Sequence, residues 1–136
     1  MAYGQSKLAN LLFTSELQRK VDAAGKKLLA AACHPGYAAT NLQAAGPKMM
    51  GSSMLESLFS FGNSVLAQSA AMGALPTEYA AVAPDVHGGD YIGPDGMAEL
   101  WGNPVRVGRS AAAQDSATAS RLWEVSEQLT NVHYAL

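Results

Sequence analysis

Lys26-Lys27-Leu28-Leu29-Ala30-Ala31-Ala32-Cys33-His34-Pro35-Gly36 is a short apolar run set between two cations and a Pro-Gly break. Its brevity predicts a strand over 28–33 rather than a helix. No polar residue alternates along it, so the strand is expected to be covered on both faces, as in parallel sheets. Its alanines, poor strand formers, weigh against this. Upstream, the pattern predicts a helix from Ala2 to Ala24. Leu8, Leu11, Leu12 and Ser15 share one face, and Phe13, Leu17, Lys20, Val21 and Ala24 another, which implies burial on two sides. Gly25 follows as a C-cap. Downstream, Ser64 to Ala83 is predicted as a second long helix, kinked or restarted at Pro76. Gly88 to Ile92 is predicted as a second strand, ended by Gly93-Pro94-Asp95-Gly96. The two strands would then be joined by a right-handed βαβ crossover.

The next segment breaks at Gly102-Asn103-Pro104. Asp115 is an N-cap for a last helix reaching about Leu129, with Thr118, Leu122, Val125 and Leu129 on its buried stripe and Trp123 beside them. The order helix-strand-helix-strand-helix is that of an α/β fold. No repeat or linker divides the chain, so residues 1–136 are expected to form a single domain.

The 136 residues are 49% hydrophobic and only 15% charged, with a net charge of −2. So little charge suggests that part of the surface is meant to be covered. The charge gives no footprint for nucleic acid. A lone cysteine, Cys33, excludes an internal disulfide and fits a reducing, cytoplasmic setting. No signal peptide is expected at the start, and no apolar stretch is long enough for a transmembrane span. His34, His87 and His133 have no metal-ligand spacing with Cys33 or the carboxylates, so no metal site is expected.

Two segments carry the chemistry. Tyr3 and Lys7, four residues apart, share a helix face. An ammonium beside a phenol favours the phenolate and suits it to pass a proton near neutral pH. Alone, the pair is as readily a surface tyrosine beside a solvated lysine. The second segment is His34-Pro35-Gly36-Tyr37-Ala38-Ala39-Thr40, just past the first predicted strand.

Together these segments resemble the short-chain dehydrogenase/reductase family, which has a Tyr-x-x-x-Lys helix followed by a strand ending in Pro-Gly with a threonine beyond it. Tyr3-Gly4-Gln5-Ser6-Lys7-Leu8-Ala9-Asn10, His34-Pro35-Gly36 and Leu122-Trp123-Glu124-Val125-Ser126-Glu127 resemble its retinol dehydrogenase and protochlorophyllide reductase branch. The resemblance implies the C-terminal part of a Rossmann-type, doubly wound parallel sheet. It implies an NAD(P)-dependent oxidoreductase acting on an alcohol or ketone. Tyr3 would exchange the proton, and Lys7 would assist it and bind the nicotinamide ribose. Pro35, Gly36, Tyr37, Ala38 and Thr40 would line the cofactor, NADP or NAD. Gly36 would let backbone come close to the ring. Tyr37 also fits a packing role, and His34 is expected to be structural.

The resemblance further assigns residues 43–63, with Met49, Met50, Met54, Leu55, Leu58, Phe59 and Phe61, to a variable substrate region. They form a lid over an apolar substrate, a helix packed on the core or, with only Lys48 as a cation to support it, a membrane-surface helix. The chain holds no Gly-x-Gly-x-x-Gly turn for a pyrophosphate, and no serine precedes Tyr3. The N-terminal dinucleotide-binding half is therefore expected to be missing. Three readings follow: part of an oxidoreductase; a truncated, inactive chain that dimerises or docks through its first two long helices; or a generic α/β binding module that matches by chance.

Overall fold

The computed structural model describes residues 2–38 and 68–136. In chain order its elements are helix α1 (Ala2–Ala23), strand β1 (Ala32–Cys33), helix α2 (Ala70–Val82), strands β2 (Tyr91–Pro94) and β3 (Pro104–Arg106), and helix α3 (Ser116–Thr130). Short 3-10 turns cover Met97–Glu99 and Ala111–Gln114. The described residues divide into two compact units, one built on 2–32, 84–91 and 108–136, the other on 33–38, 68–83 and 92–107.

In the first unit α1 packs on α3. Phe13 stacks on Trp123, with ring centroids 5.2 Å apart and planes 13° from parallel. Leu12, Val21, Ala113, Ala119 and Trp123 are buried in this unit. α1 ends where the sequence places its cap. Gly25 takes φ +61. Its N–H donates to the carbonyl of Asp22, and that of Lys26 donates to Val21. This is the paired closure of a left-handed C-cap, which favours glycine.

Asp115 caps α3 as expected, accepting from the N–H groups of Ala117 and Thr118. The buried stripe of α3 differs from the one read in the sequence. Ala119 and Trp123 are buried, whereas Thr118 is exposed and Leu129 is 82% exposed. The stacking of Trp123 on Phe13 sets the rotation, and a one-residue shift turns the helix by about 100°.

The chain passes between the units along β1 and β2. Ala32 N–H donates to Asp90 O and His34 N–H to Ile92 O, each at 2.9 Å. Both chains advance two residues in the same direction, so the strands run parallel. β3, which the sequence reading lacks, pairs antiparallel with β2 in the register Ile92↔Arg106, Gly93↔Val105, Pro94↔Pro104. The sheet is thus three-stranded and mixed, in the order β1-β2-β3, where a parallel one was expected.

Two further boundaries move. β2 continues through Gly93 and Pro94, which the sequence assigns to a turn. β1 keeps only two ladder residues, and Leu28 and Leu29 are 52% and 48% exposed rather than covered. Before β1, the Gln18 side chain takes up the N–H of Ala30 at 2.8 Å.

In the second unit Ser69 caps α2, its hydroxyl accepting from Met72 N–H. Pro76 is buried within the helix, which runs on to Val82 with no restart. Residues 43–63, read as a lid or packed helix, and Thr40 lie outside the described residues. Among the described residues no helix is long and apolar enough to cross a membrane, and no cluster of His, Cys, Asp and Glu could hold a metal ion.

Candidate active site

Tyr3 and Lys7 stand on the first two turns of α1, where every residue from Ala2 to Lys7 is exposed. The four-residue spacing brings both side chains to one face, with the Lys7 ammonium 5.3 Å from the Tyr3 ring centroid. That is cation–π distance. Tyr3 is 66% exposed. Among the described residues no hydrogen bond reaches its hydroxyl. Ser6, between the two, turns its hydroxyl back onto the Tyr3 carbonyl at 2.7 Å. A phenol and an ammonium are therefore presented together to solvent, a donor set suited to a carbonyl or ribose oxygen.

The second group, in the other unit, is the turn that leaves β1. Pro35 is exposed, and its carbonyl accepts from the Gln68 side-chain amide at 2.6 Å. Gly36 takes φ +63. A Cβ there would lie 2.6 Å from the Leu100 carbonyl oxygen, 2.8 Å from Pro94 and 2.9 Å from the Glu99 carbonyl oxygen. On that side its own chain stands where a side chain would be. Tyr37 donates its N–H to Leu100 O at 2.7 Å and accepts from Gln68 N–H at 2.9 Å. Its backbone is engaged within the fold.

Ala38 is buried, 4% exposed, in a parallel bridge with Gln68. Opposite it, a Cβ on Gly73 of α2 would meet the Ala38 methyl at 2.7 Å, so a small residue at 38 matches a bare helix face. The turn also lies at the carboxyl end of a strand in a parallel pair, where open α/β sheets bind ligands.

Sequence reasoning missed Gln68, Gly93 and Glu99. Gln68 ties the turn through its backbone and its amide, and its Oε1 accepts from Gly102 N–H at 3.2 Å. No local signal marks it, since its partners lie more than thirty residues away on either side.

The relatives of the chain are short-chain dehydrogenases/reductases and oxidoreductases, as the Tyr3–Lys7 and Pro35-Gly36 motifs suggest. It is 38% identical over 135 residues to the WW domain-containing oxidoreductase of Danio rerio, covering 95% of this chain and 28% of that protein. Retinol dehydrogenase 14 of Mus musculus is 32% identical over 96% of this chain and 35% of its own length. The chloroplastic short-chain dehydrogenase TIC 32 B of Brassica napus is 33% identical over 96% of this chain and 37% of its own. The chain thus spans about a third of the length of the curated relatives it matches. A crystal structure of an uncharacterized protein from Mycobacterium Paratuberculosis superposes with a TM-score of 0.70 at 41% identity, over 99% of this chain and 40% of that one. No family profile matches the chain.

Proposed function

We propose that these residues supply the proton-transfer chemistry of an NAD(P)-dependent oxidoreductase of the short-chain dehydrogenase/reductase type, acting on an apolar alcohol or ketone. The shared, exposed face of Tyr3 and Lys7 carries this reading. A bound nicotinamide would supply or accept the hydride. In the reducing direction Tyr3 gives its hydroxyl proton to the substrate oxygen as the carbonyl carbon takes the hydride, leaving an alcohol and a phenolate. The Lys7 ammonium favours that phenolate and can donate to a ribose hydroxyl.

Pro35, Gly36, Tyr37, Ala38 and Thr40 form the stretch that would face the nicotinamide. The phenol and ammonium fit the ribose and nicotinamide end. For the pyrophosphate, the sequence offers no glycine-rich turn. The apolar character of the substrate rests on Met49, Met50, Met54, Phe59 and Phe61, and on the names of the retinol dehydrogenases among the relatives. Self-association or docking through the first two long helices belongs to the alternative reading, a catalytically inactive chain.

The test is NADPH-dependent reduction of retinal and of aliphatic ketones by the natural gene product, together with the reading frame upstream of Met1. Turnover, with an in-frame glycine-rich turn and a serine shortly before Tyr3, supports the proposal. Absence of both turnover and NADPH binding contradicts it and favours the second reading, an inactive chain that dimerises or docks.

A further inference from the structure

We infer that His34 is a positioning residue, an imidazole held in one tautomer that fixes the bend of the Pro35–Gly36 turn. The inference deepens the reading given above and rests on it where it concerns the nicotinamide. Three observations meet at this ring.

The Gly36 N–H donates to Nδ1 at 3.3 Å. An N–H needs a lone pair, so Nδ1 is bare and the proton of the neutral ring sits on Nε2. Nε2 lies 3.0 Å from the Glu99 carboxylate, which accepts that proton's hydrogen bond. The opposite tautomer satisfies neither partner. A doubly protonated ring satisfies only Glu99.

The ring also occupies room that only a glycine leaves. A Cβ on Gly93 of β2 would lie 2.7 Å from the imidazole Cδ2 and closer still to Nε2. Glu99 reaches the ring from an unusual backbone. It and Ala98 are consecutive non-glycine residues with φ +58 and +53. Such conformers persist where the surroundings over-determine them. The next carbonyl, that of Leu100, holds the Tyr37 N–H. His34 thus joins segment 97–100 to the turn at the position from which the backbone would approach a nicotinamide, and its tautomer sets the Gly36 amide.

The ring nitrogens of the 15N-labelled 136-residue chain test this, read at about pH 8, above the ordinary imidazole range. His34 is expected to show the Nε2–H pattern alone, rather than the average of two tautomers that a freely exchanging imidazole gives. Glu99→Ala should turn His34 towards that average and displace the Gly36 amide resonance. Glu99→Gln, whose side-chain oxygen still accepts, should restore both. Averaged nitrogens in the parent chain, or a Gly36 amide unmoved by Glu99→Ala, would overturn the lock. Where Glu99→Ala fails to fold, the parent spectrum and Glu99→Gln decide.

These resonances report the lock whether or not the protein turns over, so NADPH turnover tests the site reading separately. In the active gene product Glu99→Ala should lower kcat/KM by about tenfold, a positioning effect, with Glu99→Gln near the parent. Unchanged kcat/KM beside a demonstrated lock would sever the tie to the nicotinamide.

Discussion

Gly36 shows how one residue answers to the fold before it answers to a ligand. Its φ of +63 and the closeness of the Leu100 and Glu99 carbonyls leave no place for a Cβ. Gly36→Ala should therefore destabilise the chain by about 2 kcal/mol or more in urea unfolding, from left-handed backbone strain with a steric clash added. A loss within about 0.5 kcal/mol, usual for a harmless surface change, would contradict this placement of the turn. The glycine was legible in the sequence because Pro-Gly after an apolar run marks a break. Its partners were not, because Pro94, Glu99 and Leu100 reach it only through the β2–β3 hairpin. For His34 the sequence indicates a structural role, because the resemblance assigns it no chemical duty. Only the coordinates bring Gly93 and Glu99 to its ring.

On α1 the decisive element is a buried charge. Glu16 is 2% exposed and accepts from Arg19 Nε at 2.8 Å, with the guanidinium forming a second bond to the other oxygen. Lys20 stands 3.9 Å away and also lies over Trp123. The hydrogen bond from Arg19 holds the Glu16 carboxyl below its ordinary range. Burial works against this, and the Arg19 charge, a bond from Ser120 and Lys20 add to it. Since the folded-state value is depressed, Glu16 contributes its full stabilisation above the unfolded carboxylate range, about 4.3. It loses that contribution as pH falls through the folded-state value.

Glu16→Ala should destabilise the chain by about 2 kcal/mol at neutral pH, as for the loss of hydrogen bonds to a charged group. Glu16→Gln should flatten the fall of stability in acid. An unaltered acid slope in Glu16→Gln, read from urea midpoints across pH, would contradict this account. The sequence placed α1 and its cap well because Phe13, Leu17 and Val21 recur four residues apart and Gly25 follows the last periodic position. It gave no warning of Glu16, whose neighbours in the pattern are polar as often as apolar. It missed β3 because three residues with a proline at one end offer too little pattern.

At the scale of the whole molecule, an α/β chain with a mixed sheet superposes on part of a solved structure and is similar in sequence to part of the short-chain dehydrogenases/reductases it matches. The half-exposed Leu28 and Leu29 show why a buried parallel strand was expected and was found only in part. A run without polar alternation records that both faces are apolar, not what covers them. The pairing of Tyr3 with Lys7 on one face followed from spacing alone, since helical geometry fixes it. The chemistry assigned to the pair requires a measurement. The most direct is Tyr3→Phe in the gene product, with NADPH oxidation against an apolar ketone and cofactor affinity followed together. Loss of the general acid should lower kcat by about 100-fold or more and leave NADPH affinity within about twofold. Full turnover in Tyr3→Phe would contradict the account.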